Sequence, residues 1–227
     1  RELHAPLDGP RAPGGATRGS RMTGSNGHES LVSAEEALAR LKAGNARFLR
    51  GEQRFSRTSR EVLASLAQGQ RPYATILGCS DSRVPPELVF DAGFGDLFII
   101  RVAGNIVSPE VMGSIQYAGT HLKTQLFVVL GHEGCGAVQA ALAAKFQGAQ
   151  ERSRIALLLR DMLPGLADVD PALAPPQQLE CAVEANVRWS MRQLLETPEA
   201  RARLAEDRVK LVGAIYETAT GRVRLLA

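Results

Sequence analysis

Two short segments of the sequence carry cysteine, histidine and aspartate side chains at spacings that suit a bound metal ion. They are CSDSR at 79–83 and HEGC at 132–135, and each follows an apolar run that ends in glycine. Cys79 and Asp81 point to the same side of an extended loop, because alternate residues share a side. The histidine and the cysteine of the second segment are three residues apart, about one helical turn. Each segment can therefore direct two side chains at one ion.

The donor atoms of these segments favour zinc. Zinc binds Cys sulfur at about 2.3 Å and His nitrogen at about 2.0–2.1 Å, usually in tetrahedral geometry, whereas magnesium and calcium prefer oxygen ligands. A helix that begins near Cys135 would add backbone donors that stabilise its thiolate. We therefore predict that Cys79, His132 and Cys135 bind zinc. Cys181, on a predicted helix with no polar ligand beside it, is interpreted as an ordinary helical residue.

Asp81 decides whether the predicted zinc site is structural or catalytic. If Asp81 completes the coordination sphere, no open position remains for water. Arg83 lies two residues further on and can form a bidentate ion pair with the Asp81 carboxylate. That ion pair would leave three protein ligands and a water, which Asp81 could orient by accepting its hydrogen bond. The residues alone leave both arrangements open.

The elements that must position these side chains are apolar strands separated by helices. Continuous apolar strands in alternation with helices predict a mostly parallel sheet covered on both faces. Ligands bind such sheets at the carboxyl ends of their strands. A Thr220-Gly221 turn predicts that the last strand is an antiparallel edge. The predicted strands are 74–78, 97–102, 125–130, 209–216 and 222–226.

The helices are predicted from apolar spacing and from their start and stop residues. Ser33 and Glu36 form a capping box in front of an amphipathic helix that reaches Arg50 and stops at Gly51. The other predicted helices are 60–67, 86–91, 109–121, 135–146, 155–162, 177–195 and 198–206.

Composition narrows the classes of function. The chain has 227 residues and a formal net charge of +3, which gives no reason to expect a nucleic-acid partner. No apolar run approaches the roughly 18 residues of a membrane span. The three cysteines argue for reduced thiols and a cytoplasmic location, or a periplasmic one if an upstream leader was removed. We predict a disordered leader or vector-derived segment at 1–30 and a single catalytic domain at 31–227.

The two segments resemble the signature motifs of the β-class carbonic anhydrases. The matching stretches are CSDSRV at 79–84 and GHEGCG at 131–136, and RVAGN at 101–105 is similar to a further family segment. The resemblance extends over about 34–216. It implies reversible hydration of carbon dioxide to bicarbonate and a proton at a zinc ion.

The resemblance also implies roles for the residues around the ion. Cys79, His132 and Cys135 would be permanent zinc ligands. Asp81 would be a fourth ligand or, paired with Arg83, the group that orients zinc-bound hydroxide.

Three further residues enter through the resemblance alone. In the plant-like family pattern, a Gln stands nine residues before the first Cys, and a Phe and a Tyr line the substrate pocket. Gln70, Phe98 and Tyr117 stand at those positions here, and Ile76 stands where the allosteric bacterial pattern has Trp. The resemblance therefore implies an open, plant-like site in which Gln70 hydrogen-bonds the substrate. From the residues alone, Phe98 and Tyr117 would be core residues.

The family resemblance implies an α/β fold and an oligomer. The expected sheet has four parallel strands plus an antiparallel edge strand, flanked by helices, with N-terminal helices that cross onto a partner subunit. The minimal unit would be a homodimer with active sites at the subunit boundary, and tetramers also occur in the family. Two alternative functions are hydrolysis of carbon disulfide or carbonyl sulfide at the same zinc, and a non-catalytic zinc- or bicarbonate-binding domain.

Overall fold

The structure is a computed structural model that describes residues 31–54, 59–206 and 209–226. The prediction of a disordered segment at 1–30 lies outside these ranges. Residues 31–227 form one compact unit. Within the described ranges, no helix combines the length and the apolar character needed to cross a membrane.

In the part of the chain that the structure describes, five strands form one mixed sheet in the order β2-β1-β3-β4-β5. Strands β1 to β4 are parallel, and β5 is antiparallel to β4. This arrangement confirms the predicted fold class. The strands are β1 Ala74–Gly78, β2 Leu97–Arg101, β3 Leu126–His132, β4 Lys210–Tyr216 and β5 Val223–Leu225.

The strand order places a crevice between β1 and β3. The chain leaves β1 toward β2 on one side and returns to β3 on the other side, so the direction of winding reverses at this point. In doubly wound sheets, ligands bind at such a switch point, outside the carboxyl ends of the strands. The two predicted ligand segments follow these two neighbouring strands.

Eight α-helices lie among the described residues, and α4 continues into a π-helical turn at Ala118–Leu122. The predicted capping box is confirmed, because Ser33 Oγ accepts a hydrogen bond from the Glu36 N–H at 3.1 Å. The helices are α1 Ala34–Arg50, α2 Arg60–Leu66, α3 Pro86–Val89, α4 Pro109–Tyr117, α5 Gly136–Gln147, α6 Ser153–Met162, α7 Pro175–Leu195 and α8 Pro198–Ala205.

Each face of the sheet has its own hydrophobic core. Alternate residues of β1 and β3 point to opposite faces, so Leu77 and Val129 pack in the core that contains α5, α6 and α7. Ile76 and Val128 pack in the core that contains α1. Because both central strands are buried on both sides, their ends are held in fixed positions.

The two N-terminal helices differ in how they pack. Helix α1 lies on its own chain, where the buried Asn45 side chain donates hydrogen bonds to the carbonyls of Val89 and Gly221 at 3.1 and 2.9 Å. None of the α2 residues 60–66 is buried, and Val62 and Leu63 expose 45 % and 50 % of their surface. Both helices leave apolar surface uncovered within the chain, since Leu49 of α1 is 44 % exposed, but α2 buries none of its residues.

Strand β3 extends further than predicted. The apolar run predicts that this strand ends at residue 130 and that His132 lies in the following loop. In the structure Gly131 and His132 still pair with Ile215 and Tyr216 of β4, so His132 is the last strand residue. The prediction was wrong because the partner strand β4 continues past the glycine and keeps the backbone hydrogen bonds in place.

Candidate metal centre

Three ligand side chains meet at the carboxyl ends of β1 and β3. Cys79 directly follows β1, His132 ends β3, and Cys135 precedes the first residue of α5. Gly134, in a left-handed conformation at φ 63°, turns the chain between the last two. The three ligand atoms are buried and all lie within 4.8 Å of one another. The structure thus brings together the three residues predicted to bind zinc.

The His132 ring is oriented as a metal ligand requires. Its Nδ1 lies 2.9 Å from the Glu133 carbonyl, which assigns the proton of the neutral ring to Nδ1. The buried Nε2 therefore carries a lone pair, and it has no hydrogen-bond partner among the residues described. A buried polar atom without a partner is costly. A soft metal ion beside two thiols would satisfy Nε2, so the donor set fits zinc.

The two thiols lie close enough to share one proton. The Sγ atoms of Cys79 and Cys135 are 4.0 Å apart. The Cys135 thiol donates to Cys79 and lowers the pKa of Cys79, and His132 lowers it further. The same contact, together with burial, raises the pKa of Cys135, although backbone N–H groups at the start of α5 oppose that shift. A dication would replace the shared proton and stabilise both thiolates.

The histidine responds to the same thiolate. Burial opposes its protonation, but the Cys79 thiolate and the Glu133 carbonyl outweigh burial and raise the pKa of His132. A metal ion at Nε2 would compete with that proton, since only the neutral imidazole binds metal.

Asp81 is paired with Arg83 in this structure. Arg83 Nε donates to Asp81 Oδ1 at 2.9 Å and Nη2 donates to Oδ2 at 2.7 Å, which is a bidentate pair. This guanidinium holds the pKa of Asp81 well below its usual range. Asp81 Oδ2 also lies 3.9 Å from His132 Nε2. The carboxylate is therefore ionised, adjacent to the ligand cluster and engaged by Arg83.

Arg101 supports the loop that carries Cys79 and Asp81. It ends β2, and its guanidinium donates to the carbonyls of Cys79 at 2.9 Å and of Asp81 at 2.6 Å. The sequence presents this arginine only as part of the RVAGN segment, and its role was not predicted. The available signal was its position, a charged residue at the end of an apolar strand beside β1.

The turn after β2 supports the Cys79 sulfur. The Gly104 N–H donates to Cys79 Sγ at 3.3 Å. Two buried side chains of α7 hold this turn: Asn186 Nδ2 donates to the Gly104 carbonyl at 2.8 Å, and Ser190 Oγ donates to the Asn105 carbonyl at 2.9 Å. Neither side chain was predicted to support the site. The available signal was two polar residues four apart on a predicted helix, facing a core.

Within one chain, the predicted substrate residues lie away from the ligand cluster. Phe98 pairs with Thr75, three residues before the end of β1, which is about 10 Å along the strand. The ring of Tyr117 lies 6.1 Å from that of Phe98, and Tyr117 is 46 % exposed rather than in the core. Gln70 is exposed and precedes β1, at the opposite end from the ligands. A single chain therefore does not bring these three residues to the metal centre.

Comparison with known proteins identifies relatives over most of the chain. The profile described as "Carbonic anhydrase" matches residues 74–223. A carbonic anhydrase of Mycolicibacterium smegmatis is 40% identical over 186 residues, which cover 82% of this chain and 89% of that protein.

Solved structures agree with these sequence matches. The β-carbonic anhydrase CcaA superposes with a TM-score of 0.68 and 30% identity, over 84% of this chain and 91% of that one. One of two tetrameric β-carbonic anhydrases of Sordaria macrospora superposes with a TM-score of 0.66 and 25% identity, over 85% and 96% of the two chains.

Proposed function

The chain belongs to the β-carbonic anhydrase family, and we propose that it catalyses the zinc-dependent, reversible hydration of carbon dioxide to bicarbonate and a proton. The observation that carries this proposal is the buried cluster of Cys79, His132 and Cys135 with an ionised Asp81 beside it. The cluster supplies three ligands of the kind that zinc prefers, and Asp81 supplies a hydrogen-bond acceptor at the same point.

The zinc would be held by Cys79 Sγ, His132 Nε2 and Cys135 Sγ. When bound, it supplies a Lewis acid that lowers the pKa of water and so makes hydroxide available near neutral pH. Catalytic zinc sites keep three protein ligands and one open position. The bidentate pair with Arg83 supports that arrangement, because it engages both oxygens of Asp81.

Asp81 would orient the attacking water. A carboxylate oxygen can accept more than one hydrogen bond, so an oxygen that accepts from Arg83 can also accept from a water. By fixing that proton, Asp81 directs the lone pair of the water oxygen toward the carbon of carbon dioxide. Arg83 Nη2 also lies 3.3 Å from the Gly134 carbonyl, which ties the pair to the turn between His132 and Cys135.

Gln70, Phe98 and Tyr117 would act on the substrate of a second subunit. Within one chain they lie away from the ligands, whereas β2 is an edge strand that pairs on one side only among the described residues. Near β2, Tyr117 exposes 46 % and Phe94 68 % of their surface. Apolar exposure next to an open sheet edge supports a homodimer that joins this surface to a partner's metal centre. The tetrameric β-carbonic anhydrases among the related structures support an oligomer as well.

Stopped-flow measurement of carbon dioxide hydration between pH 7 and 9, with metal content determined on the same sample, tests the proposal. We expect about one zinc per chain and hydration that disappears when the metal is removed. Protein that contains zinc but shows no hydration across this range would overturn the proposal and favour a binding domain. Parallel assays with carbon disulfide and carbonyl sulfide test the substrate, since faster turnover of either would identify a heterocumulene hydrolase.

A further inference from the structure

Two buried polar side chains of α7 interrupt an otherwise apolar surface. Asn186 and Ser190 expose 1 % and 0 % of their surface and lie one helical turn apart. The buried α7 residues around them are Ala182, Val183, Val187 and Leu194. Burial of a polar side chain costs free energy unless it forms hydrogen bonds. Their contacts therefore indicate what these residues do.

Both side chains bind the backbone of the same turn. Asn186 donates to the Gly104 carbonyl and Ser190 donates to the Asn105 carbonyl. Gly104 and Asn105 have φ angles of 69° and 44°, so two successive residues adopt the left-handed region. Glycine adopts this region freely and asparagine more readily than most residues, but two successive left-handed residues still cost free energy, so contacts around the turn stabilise it.

The turn presents one N–H group to the metal centre. The Gly104 N–H donates to Cys79 Sγ, while the carbonyl of the same residue accepts from Asn186. A side chain at Gly104 would collide with α6, because its Cβ would lie 2.7 Å from Met162 Sδ. The Gly104 backbone is therefore tightly packed where its N–H reaches Cys79 Sγ, and the hydrogen bond from Asn186 helps to hold it there.

We propose that Asn186 and Ser190 are positioning residues of the metal centre, which act through the 103–105 turn to keep the Gly104 N–H on the Cys79 sulfur. The inference rests on the proposed zinc site. Hydrogen bonds to a ligating group orient it and tune its electron donation to the metal. An N–H group at a thiolate withdraws part of its negative charge, so zinc with two thiolate ligands remains a stronger Lewis acid than it would be without this contact.

The chain contains a matched control for Asn186. Asn45 is also buried, at 5 % exposure, and its side chain also donates to backbone carbonyls, those of Val89 and Gly221. It packs in the core on the opposite face of the sheet. Asn45→Leu removes more hydrogen bonds than Asn186→Leu, because Asn45 Oδ1 also accepts from the Val223 N–H, whereas Asn186 makes, among the described residues, the single bond to Gly104. Asn45→Leu is therefore a strict control for loss of stability, and only Asn186→Leu affects the turn at Cys79.

Zinc affinity and cobalt spectra of these variants test the inference. Affinity is measured by competition with a chelator, well below the unfolding temperature, and the sulfur-to-cobalt charge-transfer absorption is recorded after cobalt(II) substitution. We expect Asn186→Leu to bind zinc about 10- to 100-fold more weakly and to shift the charge-transfer band. We expect Ser190→Ala to show a smaller change of the same kind. Asn45→Leu is expected to unfold more easily with unchanged affinity and spectrum.

The outcomes separate this inference from the proposed function. Wild-type protein that binds no zinc would overturn the proposed function itself. If the wild type binds zinc and Asn186→Leu matches it in affinity and spectrum, the positioning role is wrong while the zinc site stands. Equal loss of affinity in Asn45→Leu would also contradict the positioning role, since it would show a general effect of instability. If Asn186→Leu does not fold, Ser190→Ala compared with Thr124→Val, which removes a buried hydroxyl contact to Thr75, decides the question.

Discussion

At the carboxyl ends of β1 and β3, three buried ligand atoms lie within 4.8 Å of one another. At β2, in the same sheet, the half-buried ring of Phe98 lies 6.1 Å from the ring of Tyr117 at the end of α4, and Tyr117 is 46 % exposed. The first region belongs to central strands with neighbours on both sides. The second combines an edge strand, which pairs on one side only among the described residues, with the end of a helix.

This difference shows which properties one chain can supply. Parallel pairing of β1 with β3 determines the distance between Cys79 and His132, so the ligand cluster is complete within the chain. Phe98 lies about 10 Å before the strand end, and the Tyr117 ring beside it is exposed. We therefore expect metal binding to be a property of the single chain, and the substrate pocket to require assembly.

Loss of a ligand should have the largest effect. His132→Ala removes the imidazole from a buried cluster and leaves two thiols, so we expect loss of the bound zinc and of all carbon dioxide hydration above the uncatalysed rate. Metal analysis and stopped-flow assays measure both quantities. Cys181→Ala is the control, because Cys181 is exposed on α7 and is not part of the cluster. Full zinc content in His132→Ala would contradict the proposed coordination.

Removal of the Asp81 charge should have the next largest effect. Asp81→Asn keeps the shape of the side chain but loses the ionised acceptor and its ion pair with Arg83. We expect unchanged zinc content and hydration slower by about 10²- to 10⁴-fold, the range typical for loss of a positioned acid–base group. Metal content and the rate constant, measured on one preparation, check this. A variant that retains full activity would show that Asp81 has no role in orienting water.

The ligand cluster could be predicted because short stretches of sequence are enough to place its residues at the ends of strands. Cys79 and His132 stand at the ends of apolar strands, and the ends of parallel strands meet at one edge of a sheet. Even the error in the end of β3 did not matter, because His132 remained at that edge. The donor types then indicated zinc without any knowledge of side-chain packing.

The supporting and substrate residues could not be predicted in the same way. The role of Asn186 depends on how α7 packs against the turn after β2, and helical periodicity carries no information about that partner. The interpretation of Phe98 and Tyr117 as core residues assumed that the strand of Phe98 and the helix face of Tyr117 are both covered by other elements. Strand order makes β2 an edge, and strand order depends on pairing between distant segments.

Loss of an aromatic side chain at the edge should have a smaller effect that depends on assembly. We expect Phe98→Ala to keep its zinc and to lose about tenfold in kcat/KM, equivalent to about 1.4 kcal/mol. The critical measurement mixes unfolded Phe98→Ala chains with unfolded Cys79→Ala chains and refolds them together. A hybrid dimer would contain one site with an intact ligand set and an intact partner aromatic, so hydration should exceed the sum of the separately refolded variants.

The mixed refolding has a direct control. In this control, Phe98→Ala chains replace the Cys79→Ala chains, so every pocket lacks the Phe98 ring. The activity should then rise only in proportion to the amount of Phe98→Ala protein. If size analysis shows dimers and the activity of the mixed sample only equals the sum of its components, Phe98 acts on the metal centre of its own chain. That result would contradict the expectation that the substrate pocket requires assembly.

The smallest expected effect concerns Arg83, the exposed member of the metal-centre region. Arg83 holds the pKa of Asp81 below its usual range, and the unfolded-state pKa of Asp is about 3.9. A lowered folded-state pKa contributes stability above the unfolded pKa, and this contribution is lost as pH falls toward the folded value. In Arg83→Ala the pKa of Asp81 should rise toward its ordinary value. Metal-free wild type should therefore be more stable than Arg83→Ala at pH 6, and the difference should shrink below about pH 4.

Urea unfolding of metal-free protein at pH 6, 4 and 3 measures this difference. The effect should be small, because the Arg83 side chain is 56% exposed and water screens the pair. The same Arg83→Ala change made in the Asp81→Asn background is the control, since no carboxylate remains to titrate. A pH-dependent difference that persists in that background would arise from another group. If the pH-dependent difference in the free energy of unfolding vanishes in that background, Arg83 acts through Asp81. The exposed arginine would then influence a buried metal centre by way of this one carboxylate.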